Sequence, residues 1–315
     1  MLQSLDPDSA TGNQGVNAGK GKGVFGAGKR IYWQTFAMFY SWVGASIDVV
    51  MTNSTWTLEH ITSIWGEWRQ ELGKSIPVTV YPPVAVEELE KAIEISTDSE
   101  KKREKALLYI AQFRPEKNHH LILDSFAEFM ATKTPATKGA KLILIGSVRD
   151  DSDSKRVYEL RLLANELQIK DSVEFHLDAQ WSEILEWLSR ASVGVNGMWN
   201  EHFGIGVVEY QAAGLISVVH NSGGPKRDIV IDINGAPTGN VPFPLGILCL
   251  SKLISLGFHA TTPTEFADGF EKALVLENKL AWRLRARESS QRFTDETFAK
   301  GWIAQMEKLV ELRRS

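Results

Sequence analysis

From Leu107 onward, apolar and polar positions follow two alternating periods. The runs "ALLYIAQF", "KLILIGS", "SVEFHL", "SVGVNG" and "ISVVHN" are nearly continuous in apolar residues and predict strands. Between them, "NHHLILDSFAEFM", "RVYELRLLANELQI", "WSEILEWLSRA" and "GIGVVEYQAA" repeat apolar residues every three to four positions and predict helices. Strict alternation of strand and helix, with strands such as Leu142 to Ile145 that contain no polar break, is the pattern of a doubly wound parallel sheet covered on both faces. The expected fold class is therefore α/β. In such sheets ligands bind beyond the carboxyl ends of the strands, so the informative loops start at Gln112, Gly146, Asn196 and Asn221.

The first third of the chain is less regular. Residues 1–30 are rich in Gly, Ser, Asn and Lys without apolar periodicity, and read as a mobile segment. Ile31 to Val50 follows, dense in aromatic residues and preceded by Lys20, Lys22, Lys29 and Arg30. A buried helix is the simplest reading. A basic stretch leading into aromatic rings also suits the surface of a lipid leaflet, and Gln34 and Asp48 count against a full span. Ile47 to Met51 then predicts a strand, followed by a helix that Asn53, Ser54 or Thr55 can cap. Asn53-Ser54-Thr55 is also a glycosylation sequon, but the cap is the preferred reading. Val78 to Tyr81 predicts another strand, stopped by Pro82 and Pro83, which mark a domain joint. One later segment matches no strand-helix unit. Residues 239–257 are apolar and proline-interrupted, and are expected to be an insertion or an artefact of the gene model, with a true hydrophobic loop as the alternative.

Composition narrows the function. The chain has 315 residues, 43% of them hydrophobic, enough for a substantial core. A formal charge of -4 argues against nucleic acid as a partner, since phosphate backbones recruit basic faces. A single cysteine, Cys249, cannot form an internal disulfide and points to a reducing, cytosol-facing environment.

The stretch "WNEHFGIGVVEYQAAG" carries the chemistry. Glu201 follows the strand "SVGVNG", and Gly204 and Gly206 open the helix that contains Glu209. A helix starting there aims its free N–H groups and its positive end at the crevice. Glycines let a ligand approach the backbone, so a diphosphate can rest on the amides of Phe203, Gly204 and Ile205. Glu209, in the opening turns, can accept hydrogen bonds from a vicinal diol such as a ribose. Glu201, outside the helix, faces whatever is attached beyond the diphosphate. Each carboxylate would hold a different sugar.

The glutamates spaced E-x7-E after a short strand, with the paired glycines of "HNSGGPKRDIV" downstream, resemble the retaining family 4 glycosyltransferases of the GT-B fold. Five collinear blocks, "VVMTNSTWTLEHI", "VYPPV", "AQFRPEKNHHLILDSF", "NEHFGIGVVEYQAAGLI" and "NSGGPKRDIV", narrow the resemblance to the GDP-mannose-dependent α-1,2-mannosyltransferases that extend the dolichol-linked oligosaccharide of N-glycan synthesis. The resemblance implies a Rossmann-like donor domain over 81–295, a remnant of the amino-terminal acceptor domain and its hinge over 31–80, and a carboxyl-terminal helix, 296–315, that crosses back. It implies GDP-mannose as donor, a dolichol-pyrophosphate-linked oligosaccharide as acceptor, and work at the cytosolic face of the endoplasmic reticulum membrane, with neither cofactor nor metal. By the same resemblance Glu201 approaches the donor hexose, Glu209 the ribose, and the amides of Phe203, Gly204 and Ile205 meet hexose hydroxyls or phosphate. Lys117 fits the lysine that grips the diphosphate. The usual arginine position holds Gln112, which leaves Arg114 as the substitute cation. Gly146 would allow close approach of the donor. Retention by front-face attack requires no protein nucleophile. Most of the family's amino-terminal domain is expected to be missing, so this chain alone should bind GDP-mannose weakly.

Other features have plainer readings. His119 and His120 begin a helix and are expected to be structural. His202 lies beside Glu201 and suits either sugar contact or packing. His220 ends a strand. The D-x-D carboxylates of Asp150 to Asp153 resemble a metal-holding spacing but read better as a helix cap. Trp181 and Trp187 are expected to pack on one helix, and a guanine-stacking residue near "VEFHLDAQW" is not singled out. Two rival functions stand beside transfer: a truncated nucleotide-sugar-binding product without activity, and a family 4 transferase with a different nucleotide donor.

Overall fold

A computed structural model describes residues 23–233, 236–237, 258–312 and 314. The segment 239–257, Cys249 and residues 1–22 lie outside these residues. The chain divides into two compact units. One holds Met1–Thr52, Thr57–Val80 and Ile303–Ser315, and the other Asn53–Trp56 and Tyr81–Trp302. The donor-domain expectation of 81–295 is therefore extended by seven residues at its end and gains Asn53–Trp56.

In the first unit, α1 (Gly23–Ala45) begins within the stretch read as mobile from composition. Helix propagation adds one hydrogen bond per fixed residue, so a helix nucleated in the aromatic run can extend back through glycines. Ser41, Gly44 and Ala45 are buried, whereas Tyr32, Phe36, Phe39 and Trp42 are exposed. Within its unit α1 is thus far from a buried helix. No helix among the described residues is long and apolar enough to cross a membrane. Gly44 rests against the Trp65 indole, where a Cβ would come within 2.1 Å, and Trp65 belongs to α2 (Thr55–Glu71).

The two strands predicted here are much shorter than expected: β1 (Met51–Thr52) and β2 (Val78–Thr79), paired in parallel. Arg69 explains part of the loss. Its buried guanidinium donates to the carbonyls of Ile47 at 2.6 Å, Asp48 at 3.3 Å and Ser75 at 2.6 Å. Backbone that would extend the β1 ladder toward Ile47 is engaged by a side chain instead.

The second unit opens with short helices α3 (Val86–Ala92) and α4 (Thr97–Lys102). It continues through β3 (Glu104–Ile110), α5 (His119–Ala131), β4 (Lys141–Gly146), α6 (Asp151–Glu166), β5 (Val173–Leu177) and α7 (Trp181–Arg190). Next come β6 (Ala191–Asn196), α8 (Ile205–Ala212) and β7 (Ile216–His220), then β8 (Asp232–Ile233) and β9 (Ala236–Pro237), an antiparallel pair. β10 (His259–Ala260), α9 (Pro263–Val275), α10 (Lys279–Ser290) and α11 (Asp295–Leu312) complete the order, α11 passing from the second unit into the first at Ile303. The main sheet runs β10-β7-β6-β3-β4-β5, and every neighbouring pair is parallel. This is the doubly wound arrangement the alternation predicted. Strand order reverses at β3 and β6, so the crevice beyond their carboxyl ends is the topological switch point.

Side-chain alternation along the strands divides the core into two layers. Leu107, Tyr109, Leu142, Leu144, Val193 and Val195 pack on one face, with α5, α6 and α9 residues such as Phe126 and Phe270. Ala106, Leu108, Ile143 and Ile145 pack on the other, with Trp187, Val207 and Val208. At the amino-terminal ends of β6 and β7, away from the switch-point crevice, buried Arg283 donates to the carbonyls of Ser192 at 3.0 Å and Gly214 at 2.7 Å and to Glu100 at 2.5 Å. Arg103 likewise donates to Ala191 and Ala213. These arginines satisfy carbonyls that the helix and strand ends leave without partners.

His119 is part of this core, as its place at a helix start suggested. It is 2% exposed, with its ring stacked on Phe113 at 4.9 Å and tilted against Tyr109 at 5.0 Å. Burial pushes its imidazole down to about 3, so the fold requires the neutral ring. The unfolded chain takes up the proton below about 6.5, and this residue's contribution is therefore intact above that pH and lost progressively as pH falls toward 3. We expect unfolding free energy, followed by urea titration, to drop by up to about 1.4 kcal/mol per pH unit across that window on account of this residue. His119→Phe should flatten the profile, and an unchanged slope would reject the assignment.

Candidate functional site

Two adjoining cavities, about 510 and 450 Å³, open beyond the carboxyl ends of β3, β4 and β6. They share Ile110, Ala111, Lys117, Ile205 and Gly206. The first continues to Asn53, Asn196, Glu201, His202, Phe203, Gly204 and Tyr210, and the second to Gln112, Gly146, Asp178, Ala179 and Glu209. The two glutamates of the E-x7-E pattern thus stand in different cavities, with the start of α8 between them.

Gly204 turns the chain into α8 at φ 108°, a value that side-chain-bearing residues rarely adopt. Its carbonyl already accepts from Val207 at 2.9 Å, but no acceptor among the described residues meets the N–H groups of Phe203, Gly204, Ile205 or Gly206. Four backbone donors therefore converge at the positive end of a helix. A Cβ on Gly206 would meet nothing closer than 3.9 Å, so the passage between the cavities stays open. The Phe203 side chain points the other way, into the core, between Tyr81 at 5.9 Å and Phe293 at 5.3 Å.

The loop after β7 shapes this turn from behind. Gly224 N donates to Glu201 O at 2.8 Å, and Ser222 Oγ accepts from Asn200 N at 2.8 Å. A Cβ on Gly223, φ 67°, would lie 2.2 Å from Glu201 O, and one on Gly224 would lie 2.6 Å from Phe203 O. Asp228, four residues on, accepts from Thr55 N at 3.0 Å and Tyr81 Oη at 2.9 Å. The loop at Asn221 was expected to line the ligand site. It supports the Glu201 turn instead, because its glycines press backbone on backbone.

Lys117 and Glu201 form an ion pair at 2.6 Å, with side chains 22% and 16% exposed. Lys117 Nζ also lies 3.1 Å from Met198 Sδ, and the buried Tyr109 hydroxyl donates to the Lys117 carbonyl at 2.5 Å, which fixes the loop after β3. Glu209 is different. Among the described residues nothing donates to its carboxylate, and burial raises its pKa above the ordinary value.

Other expected residues are placed differently. Arg114 lines neither cavity, and Gln112 occupies the wall instead. Arg114 precedes Pro115 and is held extended at φ -115° and ψ 155°; Asp153, whose pKa is lowered chiefly by its hydrogen bond from Arg149, also feels the Arg114 charge. Gly146 lines the second cavity, but a Cβ there would meet Ala111 O at 2.1 Å, so the residue type is set by the protein's own backbone. His202 lines the first cavity and stacks on Trp56 at 5.1 Å and 15°. Asp150 accepts from Asp153 N at 2.9 Å and caps α6. Among the described residues no cluster of His, Cys, Asp or Glu could hold a metal. Trp187 is buried, and Trp181 is exposed. Tyr210 and Asn196 line the first cavity and Asp178 the second, and motif reading singled out none of them. Of these, Asn196 begins one of the loops that its place at a strand end had marked as informative.

The chain matches the family model "Glycosyl transferases group 1" over residues 90–241 and the model "ALG11 mannosyltransferase N-terminus" over residues 1–65. It is 64% identical to a Neurospora crassa protein named GDP-Man:Man(3)GlcNAc(2)-PP-Dol alpha-1,2-mannosyltransferase, over 99% of this chain and 54% of that protein. Proteins of the same name from Yarrowia lipolytica and Homo sapiens are 40% and 39% identical, covering 91% and 90% of this chain and 50% and 53% of theirs. The chain thus spans about half the length of the curated relatives it matches. Among solved structures, Anabaena HepE in complex with UDP-glucose aligns with a TM-score of 0.62 at 16% identity, over 88% of this chain and 68% of that one. A trehalose 6-phosphate synthase from Burkholderia multivorans aligns at 0.61 and 12%, over 84% and 60%. These likenesses carry the fold, which is that of the GT-B glycosyltransferases. With the switch-point cavities, the E-x7-E turn and these relatives taken together, the chain belongs to the group 1 glycosyltransferases, in the family of the GDP-Man:Man(3)GlcNAc(2)-PP-Dol alpha-1,2-mannosyltransferases.

Proposed function

We propose that this chain is the donor-binding part of a retaining glycosyltransferase that moves mannose from GDP-mannose to a dolichol-pyrophosphate-linked oligosaccharide in α-1,2 linkage. The observation that supports it most is the division of labour around α8. Four amides that meet no acceptor among the described residues, together with Lys117, offer positive potential to a diphosphate. Glu209, to which no described residue donates, suits the ribose diol on one side, and Glu201 the hexose on the other. A cation near the leaving diphosphate offsets the charge that grows as the glycosidic bond breaks, where preorganised electrostatics lower a barrier most. In front-face attack the leaving diphosphate takes the acceptor proton, and no side chain needs to act as nucleophile. The identity of the base, the sugar and the acceptor rests on the relatives' names. An attachment at the cytosolic face of the endoplasmic reticulum belongs to the same reading, supported by the exposed aromatic face of α1. No metal or cofactor is assigned a step.

The test is calorimetric titration of the chain with GDP, GDP-mannose and UDP, alongside transfer of radiolabelled mannose to a dolichol-linked acceptor with a full-length relative as reference. Binding of GDP and GDP-mannose but not UDP is expected. Binding without transfer identifies a donor-binding part that needs its other half. Preference for UDP would overturn the donor assignment.

Glu209→Ala should weaken GDP-mannose binding by roughly 1.5–3 kcal/mol, the cost of losing charged hydrogen bonds. Because burial raises the Glu209 pKa, its protonation should erode donor affinity as pH falls from neutral, sooner than an ordinary carboxylate would. The diphosphodiester of GDP-mannose does not titrate in that range, so a flat profile would count against the ribose role. Gly224→Ala should abolish donor binding while circular dichroism shows the sheet intact, since the added methyl displaces the Glu201 turn. Retained affinity would show that the turn tolerates the shift.

A further inference from the structure

The floor of the first cavity carries two hydrogen-bond donors that neither the motif reading nor the relatives assign. Tyr210 is 1% exposed, and its Oη accepts from Ile110 N at 2.7 Å. A phenol oxygen that accepts one N–H still carries its own proton, and no described residue accepts that proton. The ring cannot turn aside. It is seated on Gly194, where a Cβ would come within 2.4 Å of it. Asn196, the last residue of β6, accepts from Met198 N through Oδ1 at 3.1 Å, and its Nδ2 has no partner among the described residues. Both side chains are at least nine-tenths buried and both line the first cavity, beside Glu201, but not the second, beside Glu209.

Donors that face a cavity while no described residue supplies an acceptor suit a ligand rich in acceptor oxygens. Their place separates them from the nucleoside, because the amides at the start of α8 stand between the cavities. Resting on the donor reading above, we propose that Tyr210 Oη and Asn196 Nδ2 donate to oxygens of the transferred hexose and so determine affinity for the sugar, not for the nucleotide.

The experiment compares GDP with GDP-mannose by calorimetry on the whole chain, for the wild type, Tyr210→Phe and Asn196→Asp. The first variant keeps the ring and removes the proton donor. The second keeps an oxygen for Met198 N and replaces the donor with an acceptor. Each should hold GDP affinity within about twofold and lose about tenfold for GDP-mannose, the scale of one hydrogen bond to a buried group. A GDP-mannose to GDP affinity ratio equal to that of the wild type in both variants overturns the inference alone. Equal losses for both ligands in folded protein, checked by thermal midpoint, also overturn it. Should Tyr210→Phe unfold because Ile110 N loses its acceptor, Asn196→Asp decides the matter. A wild type that binds neither ligand overturns the donor reading, and this inference falls with it.

Discussion

The hydrogen bond from Gly224 N to Glu201 O holds the rest of the site in place. Two loops from neighbouring strands meet there main chain to main chain, with no side chain between them. Any Cβ on Gly223 or Gly224 would push the Glu201 turn forward, since gaps of 2.2 and 2.6 Å to its carbonyl oxygens are shorter than a carbon contact allows. From that turn follow the orientation of Glu201, the left-handed Gly204 and the direction of the free amides of α8. The network around Asp228, which engages Thr55 and Tyr81, fixes the same loop from its far side.

Around this turn the charges are arranged in an order. The helix amides and Lys117 form a positive centre, and the carboxylates stand on its flanks. Lys117 is paired with Glu201, while the loop that carries it is pinned by the Tyr109 hydroxyl. Such a pair holds both side chains at the turn, and it leaves the lysine close to where a diphosphate would sit. Glu209 is exposed to the opposite pressure. With no donor to it among the described residues, burial is what raises its pKa, and a diol is the kind of partner that would relieve the cost.

Several outcomes turned on local chemistry that a string of letters carries only in part. Arg114 looked like a cation for the diphosphate, yet the proline after it extends the backbone and the residue lines neither cavity. Gly146 looked like room for a ligand, yet the room is filled by the Ala111 carbonyl. The strand at Ile47 read as ordinary by composition, but a buried arginine from the following helix engages part of its backbone. The loop starting at Asn196 was legible, but the roles of Tyr210 and Asn196 as donors were not, because nothing in their neighbours' identities shows that no described residue accepts from that hydroxyl and that amide. That is a property of the packed interior.

What the sequence determined alone was the alternation of strand and helix, the parallel sheet it requires, and the glycine-flanked turn with a glutamate on each side. These follow from unbroken apolar runs, a period of 3.6 residues between them and the backbone freedom of glycine, all of which are local. Tertiary structure alone decided which groups converge at the switch point, which buried polar atoms remain without partners, and which glycines serve the protein's own backbone. Those depend on contacts between residues eighty or more positions apart, such as Lys117 with Glu201 and Ile110 with Tyr210, and no local period encodes them.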